Sequence, residues 1–85
     1  MSMDLLRQNT ETLIELTNNY NKLSSQREEL NERIETAKAR KLKSELEKNQ
    51  RELEEVNIRL KLVKNYILKL IVKMDKLVEE EKNAL

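Results

Sequence analysis

The chain has 85 residues and contains no cysteine, histidine, glycine, proline, tryptophan or phenylalanine; two tyrosines are its only aromatics. Each absence removes a class of chemistry. Without cysteine there is no disulfide and no thiol, and without histidine as well the usual zinc ligand sets cannot form. No imidazole is present to change charge near neutrality. Loops that cradle phosphates or dinucleotides need glycine for close backbone approach, and none is available. No cofactor, metal or small-molecule ligand is therefore expected. Sixteen acidic residues are present, but carboxylate catalysis requires a cleft that excludes water and perturbs their titration. A helical rod offers no such cleft, so the expectation is a protein that is not an enzyme.

Long apolar runs are missing too. The longest are triplets such as Tyr66-Ile67-Leu68 and Leu70-Ile71-Val72, far short of the roughly 20 apolar residues of a membrane span. The start, Met1-Ser2-Met3-Asp4, lacks the basic and then apolar regions of a secretory signal. The expected location is intracellular, in cytoplasm or nucleus.

What is present is charge and periodicity. Charged residues make up 39% and hydrophobic residues 38%, with a formal net charge of +1. That near-balance hides a skew: residues 56 to 78 carry six basic side chains against Asp75 alone, whereas residues 26 to 55 carry eight basic and nine acidic ones. Rich in Leu, Glu, Lys and Arg and free of breakers, the chain reads as all-α, an extended coiled coil. Ser2 is suited to cap the first helix, with Asp4 near the positive end of its dipole.

Two heptad registers can be counted. In the first, spanning 1–34, Leu6, Leu13, Tyr20, Arg27 and Ile34 occupy position a and Asn9, Leu16, Leu23, Leu30 and Ala37 position d. In the second, spanning 45–78, Leu46, Leu53, Leu60, Ile67 and Met74 occupy a, with Asn49, Val56, Val63, Leu70 and Leu77 at d, flanked in the same pattern by Leu42, Glu81 and Ala84. Alternating steps of three and four keep such a seam facing a partner helix. The two registers do not join, because Ile34 and Leu46 are 12 residues apart. A register shift within 35–44 is required, absorbed either by local rewinding of one long helix or by the turn of a helical hairpin. Residues 35–41 are largely good helix formers without the Gly or Asn that usually follows a helix end. The sequence thus predicts one continuous helix that packs into an oligomeric helical bundle. Ser25-Gln26-Arg27-Glu28 matches a capping box, but Leu16, Tyr20 and Leu23 carry the heptad through that region and an unbroken helix is expected there.

Around 26–55 the seam is narrow and the remaining surface is charged. Glu29 with Arg33, Glu47 with Arg51 and Glu55 with Arg59 stand four apart in the favourable order, each worth about 0.2–0.5 kcal/mol. Arg27 at a and Asn49 at d place polar groups in the seam, a device that can set register and oligomer state; the alternative is that each snorkels past the seam and specifies nothing. From Val56 the pattern changes: fourteen of the 23 residues in 56–78 are apolar. Tyr66, Ile71 and Val78 widen the stripe at g and e, while Ile58, Leu62, Leu68 and Val72 fall at positions that a two-stranded coil leaves in water. A helix apolar on most sides is buried on most sides. The expected partner interface therefore comprises Leu13, Leu16, Tyr20, Leu23, Leu30, Ile34, Leu46, Leu53, Val56, Leu60, Val63, Ile67, Leu70, Met74 and Leu77 of the seams together with Tyr66, Leu68, Ile71, Val72 and Val78. The lysines Lys61, Lys64, Lys69, Lys73 and Lys76 can keep their heads in water. An acidic tail, 79–85, follows.

The stretch Ile58-Arg59-Leu60-Lys61-Leu62-Val63-Lys64-Asn65-Tyr66-Ile67-Leu68-Lys69-Leu70-Ile71-Val72 resembles the C-terminal helix of the centromere protein H family of inner-kinetochore coiled-coil subunits. The resemblance implies a basic-apolar helix, placed after a charged coil and docked on partner subunits. The function expected is thus structural: oligomerisation or assembly of a multi-subunit complex, with kinetochore-like scaffolding as the form the resemblance implies and helices of the same or other subunits as partners. The alternative is a nucleic-acid or membrane-surface binding module using the basic residues, notably the cluster Lys38, Arg40, Lys41 and Lys43.

Overall fold

A computed structural model describes residues 2–84. It is all-α and extended, 65 × 14 × 13 Å, and consists of two helices, α1 (Ser2–Ala39) and α2 (Lys43–Ala84), which lie against each other. The cap expected of the Ser2 side chain lies outside the described residues, as does the last residue of the acidic tail. α1 runs unbroken through Ser25. Helices of about 40 residues at 1.5 Å per residue are ~60 Å long, so the molecule is one helix long and two helices wide.

The expectation of a single continuous helix is therefore corrected: the chain reverses at Arg40–Leu42. The reversal has a defined hydrogen-bond pattern. The Leu42 amide donates to the Ala37 carbonyl at 2.9 Å and the Lys41 amide to the Lys38 carbonyl at 3.2 Å, the pair of bonds that makes a Schellman motif. Its hinge residue must take the left-handed conformation, and Lys41 does so with φ of 58°. Glycine is the usual residue there because a Cβ makes that conformation unfavourable by about 1–2 kcal/mol. Here a lysine takes the position, so the stop carries no glycine or asparagine to mark it. Lys38 sits at the negative end of the α1 dipole and Glu45 at the positive end of the α2 dipole, both favourable. The Leu42 carbonyl accepts the first bond of α2, from the Leu46 amide at 2.9 Å.

The core lies between the helices. Leu23, Leu30, Val56 and Leu60 form its centre, with Tyr20, Leu53 and Val63 packed against it. Ile34 and Ala37 are also buried, closing the seam toward the turn. Each a and d residue of the first register, from Leu6 to Ala37, is buried or half-buried. In the second, only Leu42, in the turn, and Ala84, at the open end, are exposed. The two registers are thus the facing sides of one hairpin, and the 12 residues that fit no heptad contain its turn.

Surface polar groups are satisfied locally. The hydroxyls of Thr10, Thr12 and Thr17 donate to the carbonyls of Leu6, Gln8 and Leu13, which gives each hydroxyl a partner within its own helix. The four-residue ion pairs expected along 26–59 are not closed within 4 Å among the described residues; the ion pair formed is Lys38 with Glu35 at 3.6 Å. Long exposed side chains lose rotamer freedom on pairing, and in water little is gained in return.

Candidate partner interface

The hairpin divides the expected interface residues into two sets. Leu13, Leu16, Tyr20, Leu23, Leu30 and Ile34 on α1, and Leu46, Leu53, Val56, Leu60, Val63, Ile67, Leu70, Met74 and Leu77 on α2, are buried or half-buried along the intramolecular seam. They meet the other half of the same chain. Tyr66, Leu68, Ile71, Val72 and Val78 lie outside that seam and are exposed, and Ile58 and Leu62 join them.

The outer set occupies a particular place. Ile58, Leu62 and Tyr66 follow one another at four-residue steps, as do Leu68 and Val72, so they form two short ridges along the back of α2. All five are more than half exposed. Lys61, Asn65 and Lys69, at the same four-residue spacing, run between the two ridges, and Lys64, Lys73 and Lys76 are exposed as well, so the face interleaves apolar and basic rows. Where the ridge meets the seam, Leu62 and Tyr66 share a shallow groove of about 240 Å³ with Asn19, Leu23, Arg59 and Val63. A larger groove of about 450 Å³ near the turn is lined by charged and polar residues, among them Glu29, Arg33, Glu45 and Asn49. It lacks the apolar walls on which small-molecule sites rely.

The two polar residues expected to set register, Arg27 and Asn49, are half-buried in the seam. A third, Asn9, is more deeply placed: it is 8% exposed, and its Nδ2 has no hydrogen-bond partner among the described residues. An unsatisfied buried amide is unfavourable by about 1–3 kcal/mol. Its position d in the first register is countable from the sequence; its burial requires the opposing α2. The basic cluster Lys38, Arg40, Lys41 and Lys43 is gathered at the exposed turn, at one end of the rod.

No helix among the described residues is long and apolar enough to cross a membrane. No protein-family model, curated protein or solved structure matches the chain.

Proposed function

We propose that this chain is a structural coiled-coil subunit that assembles with other helices through the outer face of α2 between residues 56 and 78. One observation carries the reading. The hairpin satisfies its heptad seam internally, yet five large apolar side chains on the back of α2, Ile58, Leu62, Tyr66, Leu68 and Val72, remain more than half exposed. Large apolar side chains exposed together on one helix face, with polar groups among them, point to an interaction site. The thinness of the core points the same way: six hydrophobic residues are buried among those described, and cores this small rarely supply more than about 3–5 kcal/mol without further association. The resemblance of residues 58–72 to a kinetochore subunit helix suggests one setting, a multi-subunit coiled-coil scaffold.

The test is sedimentation of the full chain, and capture of its partners from the native source, for wild type, Leu68→Lys and Val72→Lys. Both variants are expected to keep the helical circular dichroism of the hairpin and to lose assembly, because a charge forced into an apolar interface costs several kcal/mol. Variants that assemble and melt like wild type would remove the reading. Salt separates it from the alternative based on phosphate contacts: apolar assembly persists at salt concentrations that strip phosphate-dependent binding.

A further inference from the structure

The back of α2 has a symmetry for which the hairpin itself has no use. Arg51, Ile58, Asn65, Val72 and Glu79 recur at seven-residue steps on the side of α2 away from the seam, and all five are exposed. The series complements itself about Asn65. Seven residues to either side stand two branched aliphatics, Ile58 and Val72; fourteen to either side stand opposite charges, Arg51 and Glu79. The flanking rows follow suit, with Glu55 matched to Lys76 on one side and Glu47 to Lys82 on the other, all exposed.

We propose that this face binds a second copy of the same chain, α2 against α2 and antiparallel, with a two-fold axis beside Asn65. The inference rests on the reading of this face as an assembly surface and names its occupant. A two-fold interface is isologous: residue i meets j, and j meets i. Under that operation Ile58 packs on the partner's Val72, Asn65 meets its own copy, and Arg51 reaches the partner's Glu79. Leu62 and Leu68 lie against the methylene stems of the partner's Lys69 and Lys61, whose amines stay in water. The asparagine pair at the centre sets the register. The like-charged contact created on these rows is Glu54 with the partner's Asp75, which lies on the same row as the Glu47 and Lys82 pair and opposes it.

Charge decides the orientation. A parallel in-register pairing sets Arg51 on Arg51 and Glu79 on Glu79, which is repulsive at both ends. Pattern decides the occupant. An unrelated acidic helix would neutralise the lysines but leave the correspondence of Ile58 with Val72 and of Arg51 with Glu79 without a role. α1 exposes Met3, Leu5 and Ile14 near the open end and no large hydrophobic residue between Glu15 and Ala39, so it has no seven-residue row of this kind. The result is four helices side by side, with the two α2 helices in the middle.

The absence of cysteine makes the test direct, because a single introduced thiol is unique. Packed helices approach to about 8–10 Å between axes, which lets residues facing each other across a two-fold reach disulfide distance. In the full-length chain under mild oxidation, Asn65→Cys is expected to give covalent dimers, and Ile58→Cys mixed with Val72→Cys to give the heterodimer in preference to either homodimer. Lys22→Cys, on the outer surface of α1, is expected to stay uncrosslinked. Arg51→Glu should weaken self-association by about 3- to 10-fold, and adding Glu79→Arg to the same chain should restore it. A chain that sediments at 10.2 kDa up to about 1 mM, or dimers that crosslink 58 to 58, would overturn the two-fold assignment. The proposed function fails separately, if Leu68→Lys and Val72→Lys leave partner capture intact.

Discussion

The two helices share a seam and differ in their backs. α1 exposes Met3, Leu5 and Ile14 near the open end of the hairpin and no large hydrophobic residue from Glu15 to its end; α2 exposes none from its start to Asn57, and then seven between Ile58 and Val78. Near the turn, both helices are apolar inside and charged outside, as a two-stranded coil requires. Toward the open end both helices depart from that pattern, α1 at three positions and α2 at seven. Since the heptad positions of α2 already face α1, Ile58, Leu68 and Val72 lie outside the packing that closes the hairpin, while Leu62 and Tyr66 reach only its edge. They are the part of the molecule whose composition the intramolecular fold leaves without a partner.

That contrast can be broken most sharply by placing the same kind of charge on each side of α2. Leu60→Asp, at a core position 4% exposed, is expected to unfold the hairpin, because burying an unpaired carboxylate costs more than so small a core supplies. Circular dichroism at fixed concentration should show helicity collapsing, whereas Leu68→Lys at the same concentration keeps its helical signal. Equal loss of helix in both variants would mean that the hairpin does not stand apart from its assembly.

A smaller effect is expected inside the seam at its open end. Asn9→Leu removes the unpartnered amide and adds apolar contact, so it should stabilise the hairpin by about 1–2 kcal/mol, seen as a higher urea midpoint. A destabilised variant would show that Asn9 finds a polar partner in solution. At the turn, Lys41→Gly relieves the left-handed lysine at the expense of a looser unfolded chain, for a net gain of about 0.5–1 kcal/mol. If the chain were one continuous helix, the same glycine would destabilise it by about 1 kcal/mol, so the sign of the change in melting temperature discriminates between the two folds. The smallest effect belongs to Gln50→Lys, exposed on α2 near the turn, which should shift stability by no more than about 0.5 kcal/mol. A large shift there would extend the assembly surface into the charged half.

Much of the core is legible in residue spacing. Leu23, Leu30, Val56 and Leu60 can be counted as core from that spacing alone, because side chains at steps of three and four must share one face of a helix. The outward placement of Ile58, Leu62, Leu68 and Val72 follows from the same count. Asn9 can be counted at d, but nothing in a single register says how tightly a facing helix will close over it.

What the sequence by itself determined is helical class, two seams and the interval between them, since each depends on local propensity and period. What only the tertiary structure decided is that the two seams belong to each other. Residues 35–41 favour helix by local propensity, and a left-handed Lys41 opposes the turn by about 1–2 kcal/mol. Reversal brings the leucines of both registers out of water together, and each fully buried aliphatic side chain contributes about 1.5–3 kcal/mol. A gain shared between residues as distant as Leu23 and Leu60 outweighs a small local cost, and no window of sequence short enough to show propensity contains both.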